Sequence, residues 1–160
     1  MQEKKFTSPT DDVFQLWRAV FALVHVDGKV SEPEKHYIQT IQNIFSFSKK
    51  QHAKIESDLE QEASAVLLFS EINDQENRRQ FFVMARTIMW CDGYLHEAEM
   101  GTIKDIVKNL GEEAKLYQKE LRWMDRKPFL TEGKEPDEKE QDLIQLVVKK
   151  MAAFYEDNVI

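Results

Sequence analysis

The sequence has few of the residues that interrupt or cross-link a chain: five glycines, four prolines and one cysteine among 160 residues. A sheet of many strands needs frequent turns, so the scarcity of glycine and proline favours an all-α fold. Cys91 is the single cysteine, which excludes an internal disulfide, and its apolar neighbours Met89 and Trp90 predict a buried thiol in a reducing compartment. We therefore expect a helical protein that does not depend on disulfides.

Long apolar runs and a surplus of positive charge are also missing. The longest uncharged, mostly apolar stretch, Ala19 to Val26, is far shorter than the roughly 20 residues of a membrane-spanning helix. The net charge of −7 repels a phosphate backbone, so nucleic acid is not an expected partner. The first twelve residues lack the apolar core of a signal peptide. We expect a cytoplasmic protein with no integral membrane segment.

The length and the balance of residue types fit a single folded domain over residues 1–160. Hydrophobic residues make up 42% of the chain and charged residues 32%, a mixture typical of soluble globular proteins rather than disordered ones. A chain of this size can bury roughly 70% of its unfolded surface. A single core is therefore sufficient.

A ten-residue motif occurs twice, 65 residues apart. His25-Val26-Asp27-Gly28-Lys29-Val30-Ser31-Glu32-Pro33-Glu34 returns as Trp90-Cys91-Asp92-Gly93-Tyr94-Leu95-His96-Glu97-Ala98-Glu99. In both copies an apolar-periodic helix leads into Asp-Gly, and an acid-x-acid pair opens the next helix. The sequence therefore predicts a duplicated helix-loop-helix core over residues 10–111, with a C-terminal helical extension over residues 112–160.

Capping residues and apolar periodicity predict a compact bundle of about seven to eight helices. The first follows Thr10 and ends at Asp27-Gly28, and the second begins with a capping box formed by Ser31 and Glu34. The remaining helices are predicted to be Ser48–Leu59, Ala63–Ile72, Gln75–Cys91 after a cap at Asn73 or Asp74, Glu97–Leu110 ended by Gly111, Glu112–Met124 and Asp137–Tyr155.

The apolar faces of these helices identify the expected core. It consists of Trp17, Val20, Val24, Ile38, Ile41, Phe82, Ile88, Ile103 and Val107. The last predicted helix carries a strong apolar stripe formed by Leu143, Leu146, Val147, Met151 and Phe154. This stripe either closes the core of its own chain or pairs with a second subunit, so we expect a monomer or a weak homodimer.

The aspartate of each Asp-Gly pair ends a helix, where a carboxylate opposes the helix dipole by roughly 0.3 to 1 kcal/mol. In one interpretation Asp27 and Asp92 accept hydrogen bonds from the loop or from the next helix. In the other, the two hairpins bring four carboxylates together, and a cation neutralises them. The four predicted metal ligands are Asp27, Glu34, Asp92 and Glu99.

The identity of the cation depends on which ligands join these four carboxylates. Oxygen ligands alone favour Ca²⁺, Mg²⁺ or Mn²⁺, whereas recruitment of His25 or His96 favours Zn²⁺ or another transition metal. The motif is not an EF-hand, because the twelfth positions counted from Asp27 and Asp92 are occupied by isoleucines.

Each copy of the motif has Asp-Gly, an apolar residue two positions after the glycine, and a glutamate seven positions after the aspartate. With this pattern twice in a helical chain, the sequence resembles the tellurite-resistance TerB family. The family's relatives include the N-terminal domain of a membrane-anchored DnaJ-like co-chaperone. The resemblance covers roughly residues 13–111. It implies a helical bundle without known catalytic activity, an acidic metal site at Asp27, Glu34, Asp92 and Glu99, and association with bacterial stress-response or membrane-linked complexes.

The expected function is that of a non-enzymatic helical module that binds a protein partner, with a divalent cation at the corner loops. Two alternatives stay open. One is a metal-dependent hydrolase that uses the clustered carboxylates to activate water. The other is a structural homo-oligomer formed through the C-terminal helix.

Overall fold

The computed structural model describes residues 6–26, 28–93 and 95–127, and helix makes up 72% of this structure. The α-helices are α1 (Asp11–Phe21), α2 (Glu32–Ile44), α3 (Lys49–Glu60), α4 (Ala65–Ser70), α5 (Gln75–Met89), α6 (Glu97–Leu110) and α7 (Gln118–Arg122). Two 3₁₀ segments, Ala22–His25 and Gly111–Tyr117, follow α1 and α6. The described residues form no strand, which confirms the all-α class. None of the described helices combines the length and the apolar character needed to cross a bilayer.

The starts of α2, α3, α5 and α6 agree with the sequence prediction, whereas α4 begins at Ala65 after a cap at Ser64 rather than at Ala63. Ser31 and Glu34 form a complete capping box at the start of α2, and Asp74 caps α5 by accepting a hydrogen bond from the backbone N–H of Asn77. Ser48 caps α3 as predicted, and its partner Gln51 completes a second capping box. The bounds of α6 are those predicted, and Gly111 follows it at φ 59°. Local polar contacts therefore define where α2, α3 and α5 begin.

The ends of several helices differ from the prediction. α1 stops at Phe21 and continues as a 3₁₀ segment, and α5 stops at Met89 rather than Cys91. The predicted helix Glu112–Met124 is instead a 3₁₀ segment followed by the five-residue α7. Six described α-helices have six residues or more, fewer than the seven to eight predicted for the whole chain. The last predicted helix, Asp137–Tyr155, lies outside the described residues.

Tertiary contacts accompany the tighter winding of the segment after α6. Glu113 accepts hydrogen bonds from Arg78 at 2.7 Å and from the hydroxyl of Tyr117 at 2.9 Å. The ring of Tyr117 is fully buried against Phe82 of α5. These contacts attach the segment to α5, so local helix propensity alone does not decide its conformation.

The centre of the fold is α1, which packs against α3, α4 and α5. From Leu16 to Val24, every side chain except that of Arg18 is buried. Eight of the nine predicted core residues are at most 3% exposed, and the ninth, Val107, is partly buried against the same core. The predicted apolar faces are therefore the faces that turn inward.

Arg18 connects α1 to α3 through a bidentate ion pair. Its Nε and Nη2 atoms donate to the two carboxylate oxygens of Asp58 at 2.7 and 2.9 Å. These hydrogen bonds raise the pKa of Arg18 above its ordinary value. Asp58 itself is only 6% exposed. Two parallel charge-assisted hydrogen bonds allow both charges to lie inside the bundle.

Asp12 connects α1 to the start of α5, in addition to its place in the first turn of its own helix. Its carboxylate accepts hydrogen bonds from the backbone N–H groups of Asn73 and Asp74, at 2.7 and 3.0 Å, and from the side-chain amide of Asn77 at 2.6 Å. Burial raises the pKa of Asp12, but the hydrogen bonds together lower it by more. The pKa of Asp12 therefore lies below its ordinary value. The residue thus serves as a second cap of α5.

Replacement of either central isoleucine by alanine tests the packing of the duplicated hairpins. Ile41 and Ile103 are 0% and 1% exposed. Ile41→Ala and Ile103→Ala should each lower the free energy of unfolding by about 2 to 5 kcal/mol, because each leaves a cavity. Denaturant unfolding measures the loss. The exposed residues Gln39 and Asp105 provide controls, and losses below about 0.5 kcal/mol at both isoleucines would contradict the assigned core.

The neighbouring aspartates at the start of α1 permit a matched test of the contact with α5. Asp11 and Asp12 both lie in the first turn, but only Asp12 accepts hydrogen bonds from residues 73–77. Asp12→Ala should therefore destabilise the protein by about 1 to 3 kcal/mol more than Asp11→Ala, measured by urea unfolding. Equal effects would mean that the helix dipole alone accounts for the role of Asp12.

Candidate functional site

The two Asp-Gly corners contain the same turn. Gly28 and Gly93 have φ angles of 86° and 98°, in the left-handed region that glycine adopts without steric cost. Their backbone N–H groups donate to the carbonyl oxygens of His25 and Trp90, at 3.0 and 2.9 Å. The donors and the acceptors are each 65 positions apart, as in the sequence motif. The turn supports an internal duplication at the level of structure, although Asp27 itself lies outside the described residues.

At the first corner, Glu34 takes part in the start of α2. Its Oε1 accepts a hydrogen bond from the backbone N–H of Ser31 at 2.8 Å, and its own N–H donates to the Ser31 hydroxyl at 3.2 Å. The Glu34 side chain is nevertheless 3% exposed, unlike the neighbouring Glu32. This carboxylate therefore combines a capping role with burial.

At the second corner, a histidine and an aspartate replace the capping box. His96 is the N-cap residue of α6, and its side chain makes no capping hydrogen bond. Instead its Nε2 atom lies 2.7 Å from Oδ2 of Asp92. An Nε2–H donor is the tautomer that fits this contact with a carboxylate. Asp92 thus contacts the side chain of the N-cap residue of α6, a forward contact made through an imidazole rather than through the backbone N–H groups.

Glu99 occupies the position that matches Glu34, and it is even more buried, with 1% of its surface exposed. A buried carboxylate loses its water shell, so polar contacts within the protein must replace the water. Only a few charged or strongly polar side chains in the described chain reach this degree of burial, and two of them are these matched glutamates. Both corners therefore place an acid inside the protein.

A hydrogen-bonded chain of hydroxyl groups joins the two hairpins near the corners. The Thr87 hydroxyl donates to the carbonyl of Met84 at 2.6 Å, which leaves the Tyr37 hydroxyl to donate to Thr87 Oγ1 at 2.6 Å. Burial raises the pKa of Tyr37 far above the usual tyrosine range, and part of the rise comes from nearby Cys91. Tyr37 lies in the second turn of α2 and Thr87 in the last turn of α5. The region after the first corner therefore contacts the region before the second.

The four predicted metal ligands are distributed as follows. Asp27 lies outside the described residues, Glu34 caps α2, Asp92 contacts His96, and Glu99 is buried at the start of α6. Within residues 6–26, 28–93 and 95–127, no three His, Cys, Asp or Glu side chains are grouped as metal ligands. A cation at the corners would therefore need Asp27 or a movement of the described carboxylates.

His25, weighed as an additional ligand, lies just before the first corner with its ring half-buried. Its Nε2 atom is inaccessible to solvent and has no hydrogen-bond partner among the described residues. Burial lowers the pKa of His25 below its ordinary value, while the charges of Glu62 and Asp58 oppose the shift. The matching residue in the second copy, Trp90, does have an acceptor, the carbonyl of Met124 at 3.1 Å.

Sequence reasoning did not identify several of the groups that hold this region. The contact between Tyr37 and Thr87 joins residues 50 positions apart, and no local pattern indicates it. Asp92 and His96 are four residues apart, but both precede α6, so helical spacing does not indicate their contact either. Comparison of the chain with family models, curated proteins and solved structures finds no match.

The half-buried imidazole of His25 predicts a loss of stability in mild acid. Its pKa is lower in the folded protein than the ordinary value of 6.5, so the unfolded chain binds a proton first as the pH falls. The contribution of His25 is therefore fully present above pH 6.5 and decreases below it. His25→Gln should reduce this pH dependence, measured by urea unfolding between pH 7.5 and pH 5.

A second histidine provides the control for this measurement. His36 lies in an exposed position of α2, so His36→Gln should leave the acid-dependent loss close to that of the unmodified protein. If the His25 and His36 variants have the same pH dependence as the unmodified protein, the burial of the His25 ring has no energetic consequence.

Proposed function

We propose that this protein is a non-catalytic helical module that binds a protein partner and takes up a divalent cation at its joined Asp-Gly corners. The observation that carries the proposal is the burial of Glu34 and Glu99, which occupy the same position in the two copies of the motif. A bound cation would offset the cost of two such carboxylates.

The contacts near the corners favour a shared site over two separate ones. The hydrogen bond between Tyr37 and Thr87 joins α2 to α5. The second helix of the first hairpin therefore lies, near its start, against the end of the first helix of the second hairpin. Asp92 follows the end of α5 by three residues, and its side chain is 13% exposed. Asp27 would be the ligand contributed by the first corner, and its position in the motif matches that of Asp92.

The ligand types limit which cation is suitable. Four carboxylates provide the oxygen donors that Ca²⁺, Mg²⁺ and Mn²⁺ prefer, and the imidazole of His96 next to Asp92 would favour Zn²⁺. Ion uptake would require His96 either to join the ligands or to release Asp92. The identity of the ion that stabilises the protein therefore reports which of these rearrangements occurs.

The proposed protein-binding role rests on the resemblance to the TerB family and on the surface beside the first corner. Val26 directly precedes Asp27, and it is one of four large apolar side chains exposed in the described structure. A cation at the neighbouring carboxylate would fix the loop that presents this side chain. Ion binding and partner binding would then depend on each other.

A thermal-shift series with Ca²⁺, Mg²⁺, Mn²⁺ and Zn²⁺ tests the cation site. The unmodified protein should gain stability with at least one ion, by about 2.7 kcal/mol at a hundredfold excess over Kd. The double variant Glu34→Gln with Glu99→Gln should lose this gain. Glutamine can still accept the capping hydrogen bond at position 34, so the change removes mainly charge.

The exposed acids Glu32 and Glu97, at the first positions of α2 and α6, provide a matched control. Glu32→Gln with Glu97→Gln removes the same number of charges from the same helix ends and should keep the response to the ion. The cation proposal is wrong if none of the four ions stabilises the unmodified protein, or if both double variants respond like it.

A further inference from the structure

Trp123 presents a large apolar surface at the end of the described chain, and its backbone is firmly held. The side chain is 40% exposed, whereas the next residue, Met124, is fully buried. The indole N–H of Trp90 donates to the carbonyl of Met124 at 3.1 Å, and the Nε of Arg86 donates to the carbonyl of Arg126 at 2.7 Å. Side chains at the end of α5 therefore hold the backbone that follows Trp123, while its ring is partly exposed.

One positive side chain lies over this ring, and two more are exposed close to it in sequence. The guanidinium carbon of Arg126 lies 4.7 Å from the ring centroid of Trp123, a cation–π contact. Arg122 is adjacent in sequence, and Lys119 lies one helical turn earlier. We call the surface formed by Lys119, Arg122, Trp123 and Arg126 the tryptophan platform.

Two acids that adjoin the tryptophan platform in sequence interact with cations outside it. The Nε of Arg79 lies 2.8 Å from a carboxylate oxygen of Glu120 in an ion pair, and the charge of Asp125 raises the pKa of Arg86 against the effect of burial. Within the described part of the chain, Lys119, Arg122 and Arg126 form no ion pair. The platform thus offers three cations and an aromatic face without a described anionic partner.

The sequence that follows has the complementary charge. Residues 132–142 contain six acidic residues and two lysines, so these eleven residues contribute −4 to a net charge of −7 for the whole chain. The run starts five residues after Lys127, a span of at most about 18 Å when fully extended. A short tether of this kind gives an effective concentration on the order of millimolar.

We propose that the acidic run of residues 132–142 docks on the tryptophan platform of its own chain. Carboxylates of the run would pair with Lys119, Arg122 and Arg126, while its apolar atoms cover part of the indole ring. This docking competes with any acidic peptide from another protein, so the segment is a built-in competitor for the platform. The proposal does not depend on a cation at the Asp-Gly corners.

Binding of a fluorescent peptide with the sequence of residues 130–144 to the full-length protein tests this competition. The probe is followed by fluorescence anisotropy at low salt. Neutralising the tethered run by Glu135→Gln, Asp137→Asn and Glu138→Gln should tighten peptide binding at least about tenfold, because the internal competitor is weakened. Adding Lys119→Gln, Arg122→Gln and Arg126→Gln to that variant should abolish binding.

A charge-matched control separates docking from a general change in net charge. Glu56→Gln, Glu60→Gln and Glu97→Gln remove three exposed acids elsewhere on the protein and should leave the peptide affinity unchanged. Circular dichroism confirms that each variant remains helical. The proposal is overturned if the control tightens binding as much as neutralisation of the run does.

Three further results would also overturn the proposal. Equal affinity of the peptide for the native chain and the run-neutralised variant would mean that the tethered segment does not occupy the platform. A native dimer that dissociates on neutralisation of the run, measured by sedimentation, would place the segment on a second copy instead. Absence of binding to all variants would mean that the platform does not recognise this sequence.

Discussion

The burial of α1 and of the 3₁₀ segment that continues it is the constraint on which the rest of the structure depends. Because the side chains from Leu16 to Val24 are buried on all sides except at Arg18, this stretch cannot lie on the surface, and α3, α4 and α5 must cover it. A half-buried guanidinium within such a stretch requires a fixed counter-ion. Asp58 provides it through two hydrogen bonds, which also fixes the position of α3 against α1.

The sequence predicts this fold well where the determining contacts are local. Ser31 and Glu34 are three residues apart, and apolar periodicity identifies the buried faces of the helices, so the start of α2 and most of the core follow from the chain alone. The contacts that position the helices against one another join residues 40 to 65 positions apart. No spacing rule identifies such partners, because they meet only after the helices have packed.

The candidate site was predictable in its turns but not in its polar contacts. Both glycines have the expected positive φ, since no other residue adopts this conformation at so little cost. The two copies nevertheless use different chemistry at the start of the following helix. The first copy has a capping box, whereas the second pairs Asp92 with His96. An ion bound between the two corners would therefore meet different neighbours in each copy. Only in the second copy would a histidine, His96, have to leave the carboxylate of Asp92 or join the ligands.

The residue two positions before each corner aspartate is a second difference between the two copies. It is His25 in the first copy and Trp90 in the second. The buried Nε2 of His25 has no acceptor among the described residues, whereas the indole of Trp90 donates to the carbonyl of Met124. The last turn of α5 therefore supports both the second corner and the backbone that carries Trp123. A shift of Trp90 would alter the position of Met124 and hence of the tryptophan platform. Among the described residues His25 makes no corresponding hydrogen bond, so the described connection between a corner and this surface runs through Trp90 of the second corner.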